Sequence, residues 1–145
     1  MSKQIFVLNG PNLNLLGNRE PEIYGVLKLE DIESRLKKLA EGLGIKVDFR
    51  QSNHEGELID WVHEAGEKKA AIILNAGAYT HTSVALMDAL MAVECDCIEV
   101  HLSNIFKRED FRHHSYVSKA SLGIISGLGA KGYDLALLAL NDSIT

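Results

Sequence analysis

Apolar and β-branched runs alternate with helical patterns along this chain. The first run, Gln4–Leu8, reads as a strand. Leu29, Ile32, Leu36, Leu39 and Leu43 then recur at spacings of three and four, which predicts a helix over about 27–43. Ile45–Gln51 reads as a second strand. Ser52 with Glu55 three residues later fits a capping box, and Leu58, Ile59 and Val62 give the helix behind it an apolar face. Ala70–Leu74 is continuously apolar, as expected of a strand buried on both faces. A third helix is predicted over about 82–93, a fourth strand over Cys97–His101, and a polar loop over Leu102–His114. A helical turn within Ser115–Ala120, a strand over Leu122–Ser126 and a helix over Tyr133–Asn141 complete the series.

Strands that alternate with helices imply βαβ units and a parallel sheet covered on both faces. The fold class expected is α/β: three layers around a five-stranded parallel sheet, flavodoxin-like, in the order 2-1-3-4-5. One catalytic domain would span residues 1–145. In that order the first and third strands are neighbours where the winding reverses, and ligands bind outside their carboxyl ends. The loops that follow those two strands would flank one crevice, and the fourth strand would deliver His101 to the same edge. The third helix carries Asp88 as its only charge between Val84 and Val93. A helix apolar nearly all round is normally covered on more than one side. In so small a domain this predicts a subunit interface across it, hence a homo-oligomer.

The loop after the first strand is long. No strand or helix period resumes over the fifteen residues from Gly10 to Tyr24, and both prolines of the chain, Pro11 and Pro21, lie within them. Loops of this length in compact domains are usually functional or disordered. Leu13, Leu15, Leu16, Ile23 and Tyr24 are too apolar for a disordered segment, so an ordered, closable loop is expected.

Composition narrows the partners. The net charge is -5 and there is no basic run, which argues against nucleic acid or an anionic membrane. An anionic ligand would be held by a few placed arginines. Cys95 and Cys97 read as reduced core thiols. With His101 alone nearby they make no metal set. The N-terminal apolar run is too short for a signal-peptide core and no stretch approaches membrane-spanning length, so a cytoplasmic protein is expected.

Three groupings could carry chemistry. Arg19 and Tyr24 share the long loop. Tyrosine ordinarily titrates near about 10, and a neighbouring guanidinium favours the phenolate and so a general base. The alternative is a tyrosine that anchors the loop to the core. Glu99 and His101 are two apart in a strand and face the same way, so the carboxylate could orient a protonated imidazole, or the two could be a structural pair. Asn75 and His81, with Thr80, Thr82 and Ser83, offer uncharged partners for hydroxyls, or turn and capping chemistry. Arg108 and Arg112 in the polar loop could hold a carboxylate. Gly127, Gly129 and Gly132 match a dinucleotide-binding spacing, but only thirteen residues follow Gly132. No second strand can then bring an acid to a ribose, and a tight strand-to-helix turn is the better account.

Several segments together resemble one family. Residues 9–17 (NGPNLNLLG) and 19–25 (REPEIYG) are similar to the N-terminal signature of the type II 3-dehydroquinate dehydratases. Residues 51–60 (QSNHEGELID), 75–83 (NAGAYTHTS), 99–104 (EVHLSN) and 108–115 (REDFRHHS) follow the family in the same order. Ala76 stands where many members have proline, and Lys28 where Thr or Ser often opens the first helix.

The resemblance implies a flavodoxin-like fold, a dodecamer built from trimers, and no cofactor or metal. It implies a lyase that dehydrates 3-dehydroquinate to 3-dehydroshikimate through an enolate, in the shikimate pathway of aromatic amino acid biosynthesis. The same reaction used in quinate breakdown is the alternative. By resemblance, Tyr24 is the base, assisted by Arg19, and Asn12 holds the water that stabilises the enolate. His101, oriented by Glu99, is the proton donor. Asn75, His81, Leu102, Ser103 and Arg112 hold the substrate, Arg108 joins a closed lid, and Asp88 reaches a neighbouring subunit's site. A receiver domain would need acids where Asn9 and Asn75 stand, and a flavin carrier a Ser/Thr-rich loop after the first strand. A non-catalytic binding module of the same fold would be expected to lack Tyr24, Arg19 or His101.

Overall fold

A computed structural model describes residues 3–18, 22 and 27–143 of the chain. Its strands are β1 (Lys3–Asn9), β2 (Ile45–Gln51), β3 (Ala71–Asn75), β4 (Cys97–His101) and β5 (Gly123–Ser126). Its helices are α1 (Leu29–Gly42), α2 (Glu55–Glu67), α3 (Val84–Val93) and α4 (Lys131–Ser143). The strands form one parallel sheet in the order β2-β1-β3-β4-β5. The three-layer α/β fold and its strand order are therefore as the sequence pattern implied.

Strand side chains alternate between two cores, as the two-residue period of a strand requires. Ile5, Val7, Ala71, Ile73, Ile98 and Val100 pack with Ile32, Leu36, Tyr133 and Leu137 of α1 and α4. Phe6, Leu8, Ile72, Leu74 and Cys97 pack with Leu58, Val62, Leu86 and Leu90 of α2 and α3. The phase matters for function. Asn9 and Asn75 continue the first face, and Glu99 and His101 continue the second. Cys97 is fully buried, and burial pushes its thiol up to about 12.

Helix starts differ in detail from expectation. Ser52 does not cap α2. Its hydroxyl accepts the His54 N–H at 3.0 Å, which forms a turn before the helix, and the helix begins only at Glu55. The first helix opens at Lys28, whose N–H donates to the Asp31 carboxylate at 3.0 Å. Acids in that first turn also suit the positive end of the helix dipole. Ser83 caps α3 by accepting the Leu86 N–H at 2.9 Å. The outer side of α3 stays apolar, with Val84 and Met91 about half exposed.

The carboxyl ends of β1 and β3 approach very closely. The Gly10 N–H donates to the Asn75 carbonyl at 2.8 Å. A Cβ added at Gly10 would stand 2.3 Å from the Ala76 carbonyl oxygen, and that neighbour is backbone. Gly10→Ala is therefore expected to destabilise the protein by about 3 kcal/mol, through forced separation of the two strand ends. Gly42→Ala meets nothing within 4 Å and should be neutral or stabilising by up to about 1 kcal/mol. Urea unfolding of both variants checks this, and equal stabilities would refute the close-approach argument.

Candidate active site

A cavity of about 280 Å³ opens at the carboxyl ends of β1, β3 and β4. This is the position that the reversal of winding between β1 and β3 implies. Asn12, Asn75, His81, His101, Leu102, Ser103, Arg108 and Arg112 all line it. These eight expected residues come from four separate stretches of chain and converge on one space. Pro11, Leu13, Ala78 and Ile105 add apolar wall that the sequence reading did not single out. Arg19 and Tyr24 lie outside the described residues. Asp88 is exposed on α3 and is not among the residues that line this cavity.

Asn12 sits at the mouth with φ 70°, a left-handed conformation that asparagine tolerates better than most residues. Its N–H donates to the Asn53 side-chain oxygen at 3.0 Å. Gln51 Nε2 donates to the same oxygen at 3.2 Å and to the Gly10 carbonyl at 3.1 Å. The turn after β1 is thus braced from the end of β2.

Asn75 is nearly buried, and its amide is largely committed. Nδ2 donates to the Tyr133 hydroxyl at 2.9 Å, and Oδ1 accepts the Gly77 N–H at 3.3 Å. Tyr133 donates in turn to Asn9 Oδ1 at 2.6 Å, and Asn9 Nδ2 donates to the Arg50 carbonyl at 2.9 Å. Asn75 keeps one N–H and one lone pair for a ligand. Burial pushes the Tyr133 phenol far up, so this tyrosine is a fixed hydroxyl and not a base.

The two histidines of the wall stack, with ring centroids 6.4 Å apart and planes 13° from parallel. His81 Nδ1 lies 2.7 Å from the His114 carbonyl. A carbonyl can only accept, so Nδ1 carries the hydrogen and Nε2 presents a lone pair. Burial first, then repulsion from His101 and Arg112, hold His81 below its ordinary pKa, so it is neutral at neutral pH. His101 binds Glu99 Oε2 through Nε2, which leaves Nδ1 as the nitrogen able to serve a ligand.

Glu99 has no solvent exposure. Oε2 takes His101 Nε2, Ser115 Oγ at 2.8 Å and Thr80 Oγ1 at 3.0 Å, while Oε1 takes Ser118 Oγ. Burial alone would raise this carboxyl. The His101 bond and charge, with the Ser118 and Ser115 hydroxyls, outweigh burial and hold it below the usual carboxylate range.

Leu102 and Ser103 form the turn after β4. The carbonyls of His101, Leu102 and Ser103 accept from Gly127 N–H at 3.2 Å, Gly129 N–H at 3.0 Å and Ser126 Oγ at 3.2 Å. Gly127 has φ 94°, and a Cβ there would stand 2.8 Å from the Asn104 Cβ. The glycine-rich segment therefore makes a tight turn that clamps the cavity wall from behind. Arg108 Nη1 donates to Ser103 Oγ at 3.3 Å, and Arg112 Nε donates to Glu109 at 3.0 Å. Two guanidiniums together with neutral hydrogen-bonding groups in one cavity suit a small polyhydroxylated carboxylate.

The Asn9–Tyr133–Asn75 chain generates a prediction. Tyr133→Phe leaves two buried amides without their shared partner and should cost about 2 kcal/mol of stability. Denaturant unfolding measures it, and wild-type stability in the variant would show that the hydroxyl holds nothing.

Comparison with known proteins gives a consistent picture. The family model described as dehydroquinase class II matches residues 3–141. The 3-dehydroquinate dehydratase of Brucella canis is 59% identical over 140 residues, which cover 97% of this chain and 89% of that protein. The solved type II dehydroquinase of Propionibacterium acnes superposes with a TM-score of 0.94 at 48% identity, and covers 98% of each chain. That of Butyrivibrio crossotus superposes with a TM-score of 0.94 at 45% identity, over 96% of this chain and 97% of that one.

Proposed function

This chain belongs to the class II dehydroquinase family, and from that membership we propose that it eliminates water from 3-dehydroquinate to give 3-dehydroshikimate. The observation that carries the reading is the buried Glu99–His101 pair, which opens onto a cavity rimmed by Arg108 and Arg112. The pathway is the shikimate route to aromatic amino acids, in the cytoplasm.

Elimination of water beta to a ketone needs a base for the C2 proton and an acid for the C1 hydroxyl. Tyr24, as phenolate favoured by Arg19, takes the C2 proton, and the C–H electron pair moves onto the ketone oxygen as an enolate. A water held by Asn12 donates to that enolate. The enolate then collapses, the C1–O bond breaks, and His101 delivers its Nδ1 proton so that the hydroxyl leaves as water. Preorganised donors of this kind contribute about 3 kcal/mol each to a transition state. Glu99 on Nε2 points the ring and favours its charged form. Arg112, with Leu102 and Ser103, holds the substrate carboxylate and hydroxyls, and Arg108 closes over them. His81, as a neutral acceptor at Nε2, and the spare valences of Asn75 take further hydroxyls. No step calls for a metal or a Schiff base.

The assembly belongs to the same proposal. The half-exposed apolar side chains Val84 and Met91 on α3 support a subunit contact there. Asp88 on that helix would then enter a neighbour's cavity within a dodecamer of trimers.

Absorbance of the enone product, followed on mixing protein with 3-dehydroquinate, tests the reading. Wild type should generate the band in the presence of EDTA. Tyr24→Phe should bind substrate yet lower kcat by about 10²- to 10⁴-fold. A band that grows equally in both would remove Tyr24 as the base. Its absence in folded wild type would remove the dehydratase.

A further inference from the structure

We propose that Ser118, Ser115 and Thr80 are positioning residues for the proton donor: a cage of neutral hydroxyls that keeps Glu99 anionic and aimed at His101. The proposal rests on the assignment of His101 as the acid, and it adds residues that are not among those lining the cavity.

The geometry is specific. Glu99 is wholly buried, and its hydrogen-bond partners among the described residues are three hydroxyls and one imidazole. The hydroxyls come from two segments. Thr80 belongs to the 3-10 turn Gly77–His81 that also carries His81. Ser118 lies in the 3-10 turn Val117–Ala120, and Ser115 lies just before it. The segments are stitched together around the carboxylate. The Tyr116 N–H donates to the Thr80 carbonyl at 2.8 Å. Thr80 and Ser115 hydroxyls lie 2.8 Å apart, and the Ser118 N–H donates to Ser115 Oγ at 3.2 Å.

The type of donor matters. An arginine on Glu99 would also keep it ionised, but its positive charge would cancel the carboxylate's pull on the imidazole. Hydroxyls stabilise the anion by hydrogen bonding and leave its whole negative charge to favour a protonated ring. The carboxylate's two oxygens are also divided. Among the described residues, Oε2 takes the ring and two hydroxyls, whereas Oε1 takes Ser118. Loss of Ser118 makes the neutral carboxylic acid relatively more favourable. A neutral Glu99 presents no full negative charge to the ring and holds it less firmly. The titratable groups around Glu99 are His101 and Cys97 on its own strand and His81 on the neighbouring turn, with Arg112 acting on His81. The segment that carries Ser115 and Ser118 brings hydroxyls against it.

The sign of the pH effect follows. Glu99 is held below the usual carboxylate range, so its ionised form persists as pH falls and is lost only at the depressed value. Removing a donor raises that value. In Ser118→Ala the protonation of Glu99 should therefore move to higher pH, and kcat at neutral pH should fall by about tenfold with KM changed less than about twofold. Ser118→Thr retains the hydroxyl and should restore both. Ser121→Ala alters the same neighbourhood without touching Glu99, because its hydroxyl donates to the Val117 carbonyl at 2.8 Å, and should leave both in place. Infrared titration of the unliganded protein reads Glu99 directly through the carbonyl band of its protonated form, assigned with Glu99→Gln.

A band at higher pH together with a lowered kcat in Ser118→Ala, both reversed in Ser118→Thr, establish the cage. A band that moves without a loss of kcat overturns the positioning role, as does a variant in which neither changes. If wild type fails to dehydrate 3-dehydroquinate, the dehydratase reading falls on its own. The infrared titration then still decides whether the hydroxyls set the ionisation of Glu99.

Discussion

A carboxylate without access to water is the constraint around which the site is arranged. Transfer of an ion from water to a protein interior costs several kcal/mol even after relaxation. Glu99 bears that penalty in the middle of β4, where a strand packed on both faces would ordinarily carry an apolar residue. The penalty is tolerable only if both oxygens are saturated. Saturation requires the turn after β3 and the segment before β5 to fold against β4 in one arrangement. His81 rides on the first of these, and Arg108 and Arg112 lie in the 3-10 turns that lead into the second. Satisfying one buried charge thus ties two segments of the cavity wall to β4.

The opposite face of the sheet is tied by a neutral device. Asn9 and Asn75 are register partners at the ends of β1 and β3, and Tyr133 reaches up from α4 to join them. A phenol can donate once and accept, so it bridges one amide oxygen and one amide nitrogen without a charge. Gly10 lets the two strand ends close on one another. Two hydrogen-bonded systems on the two faces of the sheet, one ionic and one neutral, therefore meet at the edge that forms the crevice.

The fold was legible because strand and helix periods alternate cleanly and parallel strands at this length leave few arrangements. Glu99 and His101 were legible because a spacing of two in a strand dictates a shared face. Ser52 misled because Ser-x-x-Glu is satisfied equally by a turn that precedes the helix, and here the hydroxyl went to His54. Ser115, Ser118 and Thr80 were not legible as partners of Glu99. Serine and threonine are common in loops, and nothing local tells a hydroxyl that caps a turn from one that reaches sixteen or nineteen residues away to a buried acid. Tyr133 was hidden for the same reason: its partners are 58 and 124 residues away in sequence.

In the proposed reaction the two stacked imidazoles take different parts. The ring centroids stand 6.4 Å apart, so a charge on one ring disfavours a charge on the other. The protein breaks the tie through what lies behind each ring. His81 has a carbonyl behind Nδ1, which fixes a tautomer but supplies no net charge. His101 has a full carboxylate behind Nε2. A buried anion favours a cationic partner where a backbone dipole does not, which supports the proposed division between His101 as donor and His81 as acceptor on one cavity wall.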